Sequence, residues 1–210
     1  MFNDENRMFK VLKKSAGIAL IVGAIVSTPS GFEPSGGAIF ANNVPQTSKP
    51  TLSDDELYLY KLIMSYRHEN GLGSIPVSSS LSYVARTHVH DLEMHPPSGS
   101  LHSWSRYGPW KGFSFNGSES AESMWHKPAE LTAYKGKGYE IAVKTAEKVD
   151  PATALSLWID SSQHNRVIIN AGDWERMHWN AVGIAMSGKY AVVWFGEESD
   201  SPTKNIYKAR

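Results

Sequence analysis

The sequence predicts a layered α+β domain behind a targeting segment. Helical spacing of apolar residues recurs through 53–92, a further helix begins at Asp150, and two β-rich runs close the chain. Helices first and strands last, with mixed order between them, are typical of α+β domains. A chain of 210 residues suits one such domain with a short extra segment.

The composition excludes several classes of protein. Lys and Arg together number 21, as do Asp and Glu, so the chain lacks the surplus of bases that a nucleic-acid binder needs. Hydrophobic residues make up 41%, which is enough for a packed core. Cysteine is absent, which excludes disulfides, thiol catalysis and cysteine-ligated metals. Any metal site must therefore use carboxylates and the eight histidines.

Residues 1–41 are predicted to be a signal peptide. An uncharged run over 15–26 is shorter than the roughly 20 apolar residues that span a bilayer, and it has the length of a secretory core segment. Ala41 is the candidate cleavage point. The bases ahead of the run are Arg7, Lys10, Lys13 and Lys14. The prediction is a secreted, periplasmic or envelope protein that does not span the membrane after cleavage; an uncleaved anchor is the alternative.

Local signals predict the two helices that follow a polar linker over 42–52. Ser53 and Glu56 have the spacing of a capping box at the start of the first helix, which Gly71 and Gly73 end. The second helix begins near Ser78–Ser80 and ends at Pro96-Pro97. Its apolar stripe consists of Leu81, Val84, Ala85, His88, Val89 and Leu92.

Beyond the second helix, residues 95–137 are rich in Gly, Ser, Pro and Trp and are predicted to be a long irregular section. A short strand is predicted over 138–142, with Tyr139 and Ile141 on one face and Glu140 on the other.

Asp150 and Pro151 predict the start of another helix, as N-cap and first residue. Its shared face is predicted to hold Ala154, Leu157, Trp158 and Ser161. A β-hairpin is predicted over 181–195 around Ser187-Gly188, followed by a polar tail over 200–210.

Four residues are candidates for chemistry: His88, His102, Glu140 and His164. Zinc accepts two His and one Glu with a water as fourth ligand, but no tight spacing fixes two of these ligands on one helical turn. His88 points inward, as a hydrogen-bonded core residue or a ligand. Ser161 is three residues before His164, which would allow a Ser–His pair, although no nucleophile elbow is present.

The seven tryptophans are many for this length. Packing within the core and the irregular section is the simpler interpretation. An aromatic-lined groove for a lipid, glycan or peptide is the other.

The order and spacing of five segments resemble the CAP superfamily, also called the SCP/PR-1-like proteins, in its cysteine-free bacterial branch. The segments are 57–92, 101–105, 138–142, 154–170 and 181–196. The resemblance covers residues 53–199 and implies a three-layer α-β-α sandwich with a central cleft.

The resemblance also implies which residues line the cleft. His102 matches the first cleft histidine, Glu140 the glutamate of the Gly-Glu-Asn-Ile-Ala pattern, and His164 the histidine after the tryptophan-containing helix. Ser161 stands near the place of a second cleft glutamate of many eukaryotic members. Glu122 is a competing cleft acid.

The expected function follows from this cleft. His102, His164 and Glu140 are predicted to converge, with His88 behind them, and to bind a small ligand, lipid, peptide or divalent cation such as Zn²⁺. A metal-assisted hydrolase with Glu140 as base is the first alternative. A structural envelope or matrix component is the second.

Overall fold

The computed structural model describes residues 52–200, apart from the side chains of Ser118 and Glu119. The elements are α1 (Asp54–Glu69), α2 (Ser79–Met94), α3 (Ser118–Trp125), α4 (Lys127–Leu131), β1 (Tyr139–Lys144), α5 (Pro151–Asp160), α6 (Ser162–Ile168), a 3-10 turn (Gly172–Trp174), β2 (Ala181–Ser187) and β3 (Tyr190–Gly196). The predicted signal peptide lies outside the described residues, as do 42–51 of the linker and 201–210 of the tail.

The capping box predicted for α1 is confirmed. Ser53 Oγ accepts the backbone N–H of Glu56, and the Glu56 carboxylate accepts the backbone N–H of Ser53. Two amides that the helix cannot satisfy internally are thereby bonded. Gly71, just beyond the helix, has a positive φ of 76°, as its predicted role in ending the helix requires.

Two separate parts of the chain fix the start of α2. Ser78 Oγ accepts the N–H of Leu81, which confirms the predicted N-cap region. Asp200 adds to this cap because its carboxylate accepts hydrogen bonds from the Ser78 hydroxyl and from the amide and hydroxyl of Ser80. The helix therefore starts at a fixed place, and His88 lies between two and three turns further on.

Three antiparallel strands form one sheet in the order β1-β3-β2. The predicted hairpin is confirmed, and Gly188 in its turn has a φ of 51°. Successive side chains of β1 alternate between the faces, so Ile141 joins one core while Glu140 projects to the opposite side. This agrees with the alternation predicted from the sequence.

An apolar core lies on each face of the sheet, which confirms the predicted three-layer α-β-α arrangement. Helices α1 and α5 contribute to the first core, and α2 packs on the second face. The approach of α2 depends on Gly183 of β2, because a Cβ there would lie 2.1 Å from the carbonyl carbon of Leu81. The side chains of α2 are thereby held close to the sheet.

Two fold predictions are wrong in detail. Section 95–137 contains helices α3 and α4. Gly117, the N-cap of α3, has no side chain to signal its start, and α4 has only five residues. On α5, Leu157 does not share the buried face, since it is 42% exposed while Leu155 is fully buried. Ala154 and Trp158 of the predicted face are fully buried, so the prediction is wrong at Leu157 and right at these two positions.

Helices α1 and α2 have 16 residues each. Among residues 52–200, no helix combines the length and the hydropathy that crossing a bilayer requires.

A candidate ligand site of three histidines around Glu140

Glu140 lies at the centre of a buried polar cluster. Its Oε2 atom is 2.5 Å from His88 Nδ1, and its Oε1 atom is 2.7 Å from His102 Nδ1. The carboxylate side chain has no exposed surface. Leaving such a charge unpaired in the interior would cost several kcal/mol, so the two imidazoles satisfy a group that the fold would otherwise not tolerate.

The surroundings of Glu140 hold it in the ionised form. Burial favours the neutral acid and raises the pKa. The charge of His88 and the hydrogen bonds from His102 and His88 outweigh this effect and lower the pKa to about 2. At neutral pH the carboxylate therefore only accepts hydrogen bonds.

His88 donates from both ring nitrogens. Its Nε2 atom is 3.1 Å from the carbonyl oxygen of Ser103, which can only accept, and its Nδ1 atom faces the ionised Glu140. Both bonds require the imidazolium form. The ring is fully buried and stacks on Trp104 with centroids 4.2 Å apart and an interplanar angle of 8°. This arrangement stabilises a cation over an indole face.

His102 has a different set of neighbours, although it shares the same carboxylate. It lies in the loop between α2 and α3, and its Nδ1–H donates to Glu140. In the neutral ring, the proton on Nδ1 leaves a lone pair on Nε2. The side chain is 19% exposed, and the edge of the ring meets Phe115 at a centroid distance of 5.1 Å. Of the two histidines that bond Glu140, His102 is therefore the one in contact with solvent.

His164 on α6 completes the group. Its ring centroid is 6.3 Å from that of His102, at an interplanar angle of 63°. Burial lowers the pKa of His164, repulsion from His102 when that ring is protonated lowers it further, and Glu140 raises it in part. The ring is therefore neutral at neutral pH. Within residues 52–200 no hydrogen bond occupies its two nitrogens.

The other candidates differ in position. Ser161 lies at the junction of α5 and α6 and is half-buried. Glu122 is exposed and pairs with Lys137 and His126, so it is not part of the cluster around Glu140.

No group of three or more His, Cys, Asp or Glu within the described part of the chain is arranged to hold a metal. Both Glu140 oxygens accept hydrogen bonds from histidine rings, so neither is free to ligate a metal in this arrangement. The ligand set of His102, His164 and Glu140 therefore stays a prediction.

Sequence reasoning missed the residues that position the histidines. The Ser103 carbonyl and the Trp104 ring hold His88, and Phe115 packs on His102. Ser103 and Trp104 directly follow His102 in the chain, and this adjacency was the sequence signal that could have placed them near the histidines. The loop itself is anchored by Asp91, whose carboxylate accepts hydrogen bonds from the amide and hydroxyl of Ser105.

Comparison with solved structures finds several similar proteins. An extracellular protein containing a SCP domain from Bacillus anthracis aligns with a TM-score of 0.50 and 14% identity, over 72% of this chain and 45% of that one. A cysteine-rich secretory protein from Staphylococcus aureus aligns with a TM-score of 0.47 and 16% identity, over 75% of this chain and 42% of that one. An outer surface protein from Borrelia burgdorferi aligns with a TM-score of 0.49 and 17% identity, over 70% of this chain and 94% of that one.

This chain spans less than half the length of the B. anthracis and S. aureus proteins. No family model matches the sequence, and no curated protein is significantly similar to it. The similarity is therefore one of fold, and it agrees with the resemblance that the five sequence segments carry. The chain has the fold of the SCP-domain protein from B. anthracis.

Proposed function

We propose that this chain is an exported SCP-type domain whose cleft binds a divalent cation through the imidazoles of His102 and His164. One observation carries the proposal: Glu140 accepts a hydrogen bond from His102 Nδ1–H, which leaves Nε2 of the neutral ring with a lone pair, and the neutral ring of His164 lies 6.3 Å away between centroids. Neutral imidazole nitrogens are ligands for zinc and other divalent metals.

Glu140 acts in this proposal as the carboxylate that orients a metal-ligating histidine. Histidine ligands commonly donate their second N–H to a carboxylate, which fixes the tautomer and raises the basicity of the ligating nitrogen. His88 supports the same carboxylate from the opposite side through its 2.5 Å contact. Water or part of a ligand would complete the coordination. Direct ligation by Glu140 would require it to release one imidazole.

The two rings lie slightly farther apart than two imidazole ligands of one zinc ion would. Zn–N distances of about 2.0–2.1 Å in a tetrahedral site place two imidazole centroids about 5 Å apart. The observed 6.3 Å therefore calls for an approach of roughly 1 Å on binding. His102 lies in a loop and His164 on the short helix α6, and we expect rotation of the two side chains to bring the rings together.

Binding is favoured over hydrolysis with Glu140 as general base. A base works best when its pKa is close to the working pH, whereas the pKa of Glu140 is about 2. Both of its oxygens are also engaged, at 2.5 and 2.7 Å. A metal-dependent hydrolase would need another base from this cleft. A purely structural envelope role would leave function intact after replacement of both His102 and His164.

Export is part of the proposal. The basic segment and apolar run before residue 41 have the order of a secretory signal. The B. anthracis protein of the same fold is extracellular, which agrees with this location. Amino-terminal sequencing of the protein recovered outside the cytoplasm is expected to begin after Ala41. Recovery of the intact N-terminus in the membrane fraction would instead identify an anchor.

Calorimetric titration of the metal-free protein with Zn²⁺ tests the cation site. One binding event is expected, lost in His102→Ala and in His164→Ala and retained in His178→Ala, an exposed histidine outside the cluster. Glu140→Gln is expected to weaken binding by about 10–100-fold, as for other partners of metal ligands. The proposal is wrong if the wild-type protein gives no more heat than the two variants. Ester or casein turnover that disappears with chelator would move the assignment to a hydrolase.

A further inference from the structure

A cavity of about 300 Å³ lies beside the cluster, between the end of α2 and the loop that leads to α3. This volume is at the lower end of the range for small-molecule sites. Residues within 95–106 and 113–115 form its wall, and neither His102 nor His164 lines it. The cavity is thus a neighbour of the cation site and not part of it.

The wall combines hydroxyl groups with aromatic rings. Phe113 and Phe115 are half-buried, and Arg106 is the cationic side chain of the lining, which contains no Asp or Glu. The hydroxyl groups come from Ser98, Ser100, Ser103, Ser105 and Ser114. A lipid tail would be expected in a wall that is apolar throughout, which this wall is not.

Two hydroxyls are fixed in place and keep their own hydrogens. Ser103 Oγ accepts the backbone N–H of Phe115 at 2.9 Å, and Ser100 Oγ accepts that of His102 at 3.3 Å. A hydroxyl that accepts in this way still has one O–H to donate. Ser105 differs because its hydroxyl donates to Asp91. Ser100 and Ser103 therefore each retain an O–H donor at the cavity wall.

An aromatic side chain stands at the edge of the cavity. Tyr107 is 80% exposed, and its ring centroid lies 4.4 Å from that of His95, a lining residue. Tyr107 gains little from burial in this position, and it is the residue that adjoins the cavity wall at His95 with most of its surface in solvent. Rings of this kind provide apolar area with little loss of conformational freedom.

We propose that this cavity binds a neutral sugar ring. Such a ring presents hydroxyl groups around its edge and C–H groups on its faces. Ser100 and Ser103 match the edge as hydrogen-bond donors, and Phe113, Phe115 and Tyr107 match the faces as aromatic surfaces. The proposal does not depend on the cation site, since different side chains carry it.

Saturation-transfer NMR on the full chain tests the proposal, with glucose, galactose, N-acetylglucosamine and glucuronate as probes at millimolar concentration. At least one neutral sugar is expected to receive saturation from the protein. Tyr107→Ala is expected to weaken its binding by about three- to tenfold, as loss of one aromatic contact would. Ser100→Ala is expected to weaken it as well. The controls are Tyr58→Ala and Ser123→Ala, which change exposed residues outside the cavity wall.

The variant His102→Ala/His164→Ala separates this proposal from the preceding one. Sugar binding is expected to persist there while zinc binding is lost. The cavity assignment is overturned if no neutral sugar binds, if Tyr107→Ala and Ser100→Ala bind as the wild type does, or if binding is lost with the histidines. Binding of glucuronate alone would also overturn it and would assign the cavity to an anion beside Arg106.

Discussion

His88 lies flat on the indole of Trp104, with ring centroids 4.2 Å apart and planes 8° from parallel. The ring cannot rotate without breaking this stack and its bonds to Glu140 and to the Ser103 carbonyl. Because His88 is fixed, Glu140 is fixed, and the carboxylate in turn fixes His102 through the bond to its Nδ1 atom.

Removal of the central carboxylate is expected to destabilise the fold. Glu140→Ala leaves the buried His88 without its counter-ion, and breaking a buried pair in this way costs about 3–5 kcal/mol. Urea unfolding followed by circular dichroism measures the change. Glu122→Ala removes an exposed carboxylate and is expected to change stability by less than about 0.5 kcal/mol. Equal effects of the two substitutions would contradict a buried ion pair.

Stability is expected to depend on pH through Glu140. The pKa of this carboxyl is about 2 in the folded protein, against 4.5 for the free group. Below pH 4.5 the unfolded chain binds a proton that the native state does not, so stability falls with falling pH until about pH 2. The loss attributable to this group is about 3 kcal/mol. Unfolding of Glu140→Gln, measured over the same range, is expected to lack this component; parallel curves for both proteins would refute it.

His164 is expected to titrate below the usual value for histidine. Burial and the neighbouring His102 lower its pKa from 6.5. A neutral buried ring is protonated first in the unfolded chain, so this group also makes the protein less stable as the pH falls below 6.5. NMR of the imidazole resonances measures the midpoint, with exposed His178 as reference. A midpoint for His164 at or above 6.5 would show that the ring is more solvated than the structure indicates.

Lys127 is expected to stabilise the packing behind Trp104 and Phe113. Its Nζ atom is buried, donates to the Lys111 carbonyl and to Glu130, and lies 5.0 Å from the Trp104 ring centroid. Burial lowers its pKa, and the attraction of Glu130 opposes this. Lys127→Ala is expected to lose about 2–3 kcal/mol of unfolding free energy.

The matched control is Lys135→Ala, which removes an exposed lysine. Thermal unfolding of both variants provides the comparison. An equal loss of stability in Lys127→Ala and Lys135→Ala would show that the bonds of Lys127 add nothing to stability.

The fold was predictable where short-range signals determine it. Ser53, Ser78 and Asp150 cap their helices as the sequence indicates, because a side-chain cap is a local bond. Helix α3 lacked such a signal, since Gly117 forms no side-chain cap. On α5 the prediction was right for Ala154 and Trp158 and wrong for Leu157, because leucines at 155 and 157 offer alternative apolar faces and tertiary packing buries Leu155.

The proximity of the candidate residues could be predicted from the sequence, whereas the hydrogen bonds among them could not. The family resemblance indicated His102, Glu140 and His164, but residue types alone do not indicate which of these groups form hydrogen bonds with each other. That ordering depends on ring orientations fixed by distant backbone, such as the Ser103 carbonyl facing His88 Nε2. A sequence therefore indicates a His/Glu cleft, whereas the geometry makes Glu140 the common acceptor of two histidines.

The tautomer of His102 is the most direct measure of whether Glu140 orients a metal-ligating ring. Long-range proton–nitrogen correlation NMR on the ¹⁵N-labelled protein distinguishes a protonated from an unprotonated ring nitrogen. We predict that the neutral ring has its proton on Nδ1 and a bare Nε2, and that the Nε2 resonance shifts when Zn²⁺ is added. A proton on Nε2, with Nδ1 bare, would contradict the bond to Glu140 and remove the basis of the proposed site.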